Sequence, residues 1–221
     1  EPDFATPEHI IEGALAAARA GWTKYTSNTG IPRLRELIAE RVARRRAIRV
    51  AAEQVVVTTG AVGALFTAVM TVTDAGDEVL VPDPGWPNYE SIVHLAGARA
   101  VRFHLRREHG FLPDPDEIAV KIGPATRAIM LNTPTNPTGA VFSREVMARV
   151  ADLAAARGVF VISDEVYEDL VFEGEHASIA GLGVDDQAFI VSGFSKTYAM
   201  TGWRLGYLVC PRHLAGVAAS L

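Results

Sequence analysis

The stretch Arg127–Tyr167 reads RAIMLNTPTNPTGAVFSREVMARVADLAAARGVFVISDEVY, and its hydrophobic period changes twice. Arg127–Asn132 is a nearly continuous apolar run, as expected of a strand covered on both faces. Ser143–Ala156 is amphipathic at helical spacing, with Ser143 placed to cap its start and Gly158 to stop it. Val159–Ser163 is again a short apolar run. Strand, helix and strand in this order predict an α/β sheet.

The same alternation extends outward in both directions. Further strands are expected at Val55–Thr59, Glu78–Pro82, Ala100–Leu105, Phe189–Gly193 and Gly206–Cys210. Helices are expected at Val62–Thr73, Pro87–Ala96 and Asp114–Ile122. The economical architecture is a three-layer α/β fold, a mostly parallel seven-stranded sheet with helices on both faces. Residues 1–50 differ: two helical patterns, Pro7–Ala20 and Pro32–Ala47, flank the polar linker Lys24–Gly30. They are expected to form an N-terminal arm and the start of the large domain, with residues 51–221 as its body.

With 221 residues, 49% apolar and 21% charged, the chain can bury one continuous core. A net charge of -5 gives no reason to expect a nucleic-acid partner. The dense basic run Arg44–Arg46, flanked by Arg41 and Arg49, reads as the solvated end of a helix. Every apolar run is too short to span a membrane, and the histidines form no ligand-spaced cluster, so no metal is expected. Cys210 is the only cysteine, which favours a reducing, cytoplasmic setting. The chain starts at Glu1 without methionine and stops at Leu221 within an apparent helix, so a piece of a longer protein is expected.

In open α/β sheets ligands sit at the carboxyl ends of the strands, and there the unusual residues fall. After the first strand comes Thr59-Gly60-Ala61-Val62, where a glycine opens a helix whose free amides suit a phosphate or simply make a tight turn. The fourth strand ends in Asn132–Gly139 (NTPTNPTG), a loop stiffened by prolines that presents Asn136. The fifth ends in Asp164-Glu165, an acidic pair that is costly to bury unless each carboxylate finds a partner; Asp164 could also cap a following helix. The sixth ends in Ser195-Lys196, where a desolvated lysine is a usable amine nucleophile, or else half of an ion pair. A phosphate cradle, an amide, an acid and an amine on one sheet edge fit an aldehyde cofactor bearing a phosphate and a ring nitrogen.

These residues resemble a known family. Ser192–Gly206 (SGFSKTYAMTGWRLG) is similar to the lysine-attachment motif of class I/II aminotransferases, the fold-type I pyridoxal-phosphate enzymes. NTPTNPTG and Ser163–Tyr167 (SDEVY) resemble two other signatures of that family, in the right order. Asn136, Asp164, Lys196 and Arg204 are separated by 28, 32 and 8 residues, again like the family. The likeness covers essentially the whole chain, from Glu1-Pro2-Asp3-Phe4 onward.

The resemblance implies pyridoxal 5'-phosphate held as a Schiff base on Lys196, which would also move the substrate's α-proton. It implies that Asp164 pairs with the pyridine nitrogen and that Asn136 and Tyr167 bond the phenolic oxygen. Trp86 would stack on the ring, although a core tryptophan reads equally well from sequence. Gly60, Ala61, Val62 and Arg204 would hold the phosphate, and Tyr25 would reach the phosphate of a neighbouring subunit in a homodimer with shared active sites. The implied reaction moves an amino group between an amino acid and a 2-oxo acid. A β-lyase, decarboxylase or synthase on the same cradle, and the cofactor-sensing domain of a transcription regulator, are the alternatives. Gly193 departs from a serine that some members carry, with Ser192 or Ser195 as substitutes. The family's C-terminal small domain, with its carboxylate-binding arginine, is expected to lie outside this chain.

Overall fold

A computed structural model describes residues 2–221; Glu1, where the resemblance begins, lies outside the described residues. The strands are β1 (Val55–Thr59), β2 (Glu78–Asp83), β3 (Arg99–His104), β4 (Thr126–Asn132), β5 (Phe160–Asp164), β6 (Ala188–Gly193) and β7 (Leu205–Val209). The helices are α1 (Glu8–Arg19), α2 (Pro32–Arg46), α3 (Gly60–Val72), α4 (Asn88–Leu95), α5 (Pro115–Lys121), α6 (Arg144–Arg157) and α7 (Ala215–Ala218). All seven strands join one sheet in the order β1-β7-β6-β5-β4-β2-β3. β7 runs antiparallel to both neighbours, and the remaining pairs are parallel.

Side-chain alternation along the strands explains the layers. On β4, Ile129 and Leu131 face one core, while Ala128 and Met130 face the other. The first core packs α2, α5 and α6 through residues such as Val42, Ile118, Met147 and Val150. The second packs α3 and α4 through Leu65, Val69, Ile92 and Val93. All of these side chains are nearly or completely buried, each contributing about 1.5–3 kcal/mol for a residue of Val, Leu or Ile size.

The caps behave as their chemistry requires. Ser143 Oγ accepts from the Val146 amide at 3.3 Å, and Gly158 closes α6 at φ +63°. Asp114 caps α5 by accepting from the Asp116 amide at 2.9 Å. α3 starts at Gly60, two residues earlier than the hydrophobic pattern placed it, because its first turn is built from small residues. The helical pattern near the end closes at Ala218, so Leu221 stands outside α7. Residues 1–50 divide: α2 buries Ile38, Ala39 and Val42, whereas α1 buries no side chain.

One expectation is corrected here. The arginine run at the end of α2 is not simply solvated, because Arg46 is buried among carboxylates. Charge density in a sequence does not reveal that the last turn of α2 lies over the turn after β5. No helix among the described residues is long and apolar enough to cross a membrane.

Candidate active site

A cavity of about 250 Å³ opens at the carboxyl ends of the parallel strands. It is lined by Ala61 and Val62 from α3, Trp86 just before α4 and Tyr89 in its first turn, Asn136, Asp164 and Tyr167, and Ser195, Lys196 and Arg204. Eight of the ten residues expected to serve the cofactor therefore meet in one place: Ala61, Val62, Trp86, Asn136, Asp164, Tyr167, Lys196 and Arg204. Gly60 lies directly beneath Arg204. Tyr25 stands apart, fully exposed on the segment between α1 and α2.

Asp164 ends β5 and is completely buried with no cation paired to it among the described residues. Oδ2 accepts from the Tyr89 hydroxyl at 2.8 Å, and Oδ1 from the Val166 amide at 3.2 Å. Burial pushes its carboxyl up to about 6, only partly offset by these two donors. No helix follows, so the capping role does not apply. Tyr89 is also buried, and burial followed by the Asp164 charge pushes its phenol well up, keeping it a donor. The same two causes raise Tyr167.

Asn132 locks the neighbouring loop. Its Nδ2 donates to the Asp164 carbonyl at 3.1 Å, and its Oδ1 accepts from the Asn136 amide at 2.7 Å. Asn136 is thereby presented at a fixed distance from the end of β5. Trp86 meets Tyr89 edge-on, with ring centroids 5.5 Å apart. Lys196 leaves the end of β6 half-buried, and its Nζ lies 5.7 Å from the centroid of the Tyr167 ring.

The far end of the cavity is an anion cradle. Gly60 adopts φ +71°, and a Cβ there would lie 2.2 Å from Arg204 Nη2. A Cβ on Gly206 would lie 2.4 Å from the Gly60 carbonyl carbon and 2.5 Å from the Ala61 nitrogen. Only glycines allow β7, the start of α3 and the Arg204 guanidinium to pack this closely. Arg204 is itself at φ +54°, with Nη1 donating to the Thr201 carbonyl at 2.8 Å. A guanidinium over the amino end of α3 joins a cation to free helix amides, a setting suited to phosphate.

A family model described as Aminotransferase class I and II matches residues 1–221. The chain belongs to the class I and II aminotransferase family. The aspartate/prephenate aminotransferase of Thermus thermophilus is 42% identical over 221 residues, all of this chain and 57% of that protein. The arginine–pyruvate transaminase of Pseudomonas aeruginosa is 44% identical over 215 residues, 97% of this chain and 55% of that protein. The solved aspartate aminotransferase from Thermus thermophilus with maleate superimposes with a TM-score of 0.97 at 43% identity, covering all of this chain and 57% of that one. The chain thus spans a little over half the length of these relatives. Pyridoxal phosphate is the general cofactor of this aminotransferase family.

Sequence reading missed Tyr89 and Asn132 as parts of the site. Tyr89 sits three residues after Trp86, and a buried tyrosine needs a partner for its hydroxyl, a signal that points to a nearby acid without saying which. Asn132 reads as the last strand residue, and its two-way bridge exists only once β4 and β5 are paired, with Asn132 beside Asp164. Ser195 lines the cavity, which makes it a better placed hydroxyl near Gly193 than the strand residue Ser192.

Proposed function

We propose that the protein transfers amino groups between an amino acid and a 2-oxo acid with pyridoxal 5'-phosphate. The observation that carries this reading is Asp164, a buried carboxylate with donors but no cation among the described residues, 32 residues before a lysine that opens into the same cavity. Burying such a group is costly until a positive partner arrives. The donor set fits the cofactor: an amine, an acid, an amide, a phenol, an indole, and a guanidinium above free helix amides.

When bound, the cofactor supplies an aldehyde that condenses with amines and a ring that takes up electrons from the substrate's α-carbon. Lys196 Nζ would be the covalent anchor for that aldehyde and the base that moves the substrate's α-proton. Asp164 would keep the ring nitrogen protonated, and that cation would in turn favour the ionised form of the carboxyl. Tyr89 and the Val166 amide hold that carboxylate in one orientation. Asn136 and Tyr167 would donate to the phenolic oxygen, Trp86 would pack against the ring, and Gly60, Ala61, Val62 and Arg204 would hold the phosphate.

Residues 51–221 act as the cofactor-binding large domain, residues 1–50 as an arm and its start, and a small domain outside this chain completes the substrate site. The exposed Tyr25 serves a neighbouring subunit's phosphate in a homodimer. The single buried Cys210 thiol fits a cytoplasmic enzyme. The relatives named above carry aminotransferase or transaminase names, which favours amino transfer over lyase, synthase or regulator roles. Those names point to different amino donors, so the proposal extends to amino acids and 2-oxo acids as classes.

The test is to mix the full-length protein with pyridoxal phosphate, an amino acid and a 2-oxo acid. Accumulation of the matching new amino acid and 2-oxo acid supports the reading. Pyruvate and ammonia without a new amino acid would replace it with a lyase.

A further inference from the structure

The turn that follows β5 carries more than Asp164 and Tyr167. Asp169, at its end, gathers donors from two other parts of the chain. Its Oδ2 accepts from Arg41 Nη2 at 2.7 Å and from the Thr197 hydroxyl at 2.8 Å, and its Oδ1 pairs with Arg45 Nη1. The side chain is only 16% exposed, so these partners replace most of its water. Burial pushes the carboxyl up, but the Thr197 hydroxyl and the Arg45 and Arg41 charges outweigh it and hold it below the usual range.

Thr197 is the residue after Lys196. Resting on the functional reading above, we propose that Asp169 is a positioning residue that sets Lys196 against the Asp164–Tyr167 turn through the Thr197 hydroxyl. Two contacts then fix the register between the turn and the lysine loop. Lys196 Nζ lies over Tyr167, and one residue later Thr197 is pinned two residues beyond Tyr167. Two pinned points determine both the distance and the direction from which Nζ reaches into the cavity.

Three other ties of the lysine loop run elsewhere. The Tyr198 amide bonds the Phe194 carbonyl at 3.1 Å, and the Met200 amide bonds the Ser195 carbonyl at 3.1 Å, both within the loop itself. The Ala199 carbonyl accepts from Thr6 Oγ1 at 2.6 Å, which fastens the loop to the N-terminal arm. The Thr197 bond, by contrast, links the loop to the turn carrying the acid and the phenol. Arg41 and Arg45 anchor the arrangement because α2 is embedded in the first core through Ile38, Ala39 and Val42. A charged acceptor makes the hydroxyl bond stronger and more directional than a neutral one would.

The test uses the full-length holoenzyme and the variants Thr197→Val, Thr197→Ser, Asp169→Ala and the double variant Thr197→Val/Asp169→Ala. Thr197→Val removes one hydroxyl at constant shape and leaves both ion pairs in place, so it remains informative if Asp169→Ala folds poorly. Because misplacing a reacting amine by a fraction of an ångström is costly, Thr197→Val is expected to lower kcat by roughly tenfold with KM for the amino donor within about twofold. It is also expected to shift the pH midpoint of the visible absorption of the lysine-bound cofactor, while Thr197→Ser restores both. The double variant should be no slower than Asp169→Ala, since both act through one bond. A Thr197→Val enzyme with the parent's kcat and midpoint overturns the inference and leaves Asp169 an ion-pair partner only. A parent protein that shows no such absorption overturns the functional reading, and the inference falls with it.

Discussion

Asp164 and Glu165 are adjacent, both fully buried, and face opposite electrostatic settings. Asp164 meets a phenol and an amide, and its carboxyl rises to about 6. Glu165 meets Arg46 at 2.5 Å, His176 at 3.1 Å and the Ser178 hydroxyl at 2.7 Å. Burial raises its carboxyl too, but the Arg46 charge and the His176 contact outweigh that and hold it at about 2. The cleft on the Glu165 side is larger, about 730 Å³, yet the buried carboxylate that lines it already has cations: Glu168 pairs with Arg41, Arg45 and Arg46. Glu165, Glu168 and His176 offer donor atoms within 4.8 Å of one another, and Arg46 already stands against both carboxylates as their cation. Two neighbouring acids thus separate into a finished structural pair and an open half of one. The smaller cavity is the functional candidate because its charge is uncompensated.

The comparison can be pressed by substitution, beginning with the largest effect. Lys196→Ala in the full-length enzyme should end covalent cofactor attachment and cut turnover by at least about 10⁴-fold, the upper range for a lost acid–base group. Steady-state rates and the cofactor absorption read this directly. Asp164→Asn should leave attachment intact but slow exchange of the substrate α-proton by about 10²–10³-fold, within the range of one lost electrostatic contact to the reacting system. Undiminished exchange would mean that the open carboxylate is not the one that matters.

Stability should divide the pair the other way. Arg46→Met leaves Glu165 and Glu168 buried without the guanidinium they share, and should cost about 3–5 kcal/mol in urea unfolding. At pH 7 and without cofactor, Asp164→Asn should stabilise by about 2–3 kcal/mol, since each unit of raised pKa is worth about 1.4 kcal/mol. The pH dependence follows with opposite signs. Glu165, lowered from 4.5 to about 2, stabilises above its unfolded value and loses that contribution as pH falls through that interval. Asp164, raised from 3.8 to about 6, contributes fully below its unfolded value and loses that contribution as pH rises through about 6. Unfolding free energies between pH 2 and 8 should therefore lose their acid limb in Glu165→Gln and their neutral limb in Asp164→Asn. The smallest effect belongs to Tyr89→Phe, which removes one donor to Asp164. It should cost about 1.5 kcal/mol, the low end for a hydrogen bond to a charged group, and weaken cofactor affinity.

Much of this was legible in the chain. The central strands β4, β5 and β6 are legible because both faces of the sheet are buried there, which makes each an apolar run rather than an alternation. The cavity residues were found because lysine, acid, amide and glycine are each out of place at the end of a buried strand. Arg46 and Asp169 were not legible, since their meaning depends on α2 lying over a turn more than a hundred residues away. Tyr89 and Asn132 were hidden for the same reason: their partners become neighbours only when β4, β5 and α4 assemble. Local chemistry can be read along the chain, whereas pairing across elements cannot.

The central claim is that Lys196 is the amine in an otherwise ready cofactor cradle. The lysines of this chain are Lys24, Lys121 and Lys196, so one mapping separates them. The full-length protein would be mixed with pyridoxal phosphate, reduced with borohydride, and its labelled peptides identified by mass. Stoichiometric label on Lys196, with Lys24 and Lys121 unmodified, is the predicted result. Label on the other lysines at equal level, or none on Lys196, would contradict the account.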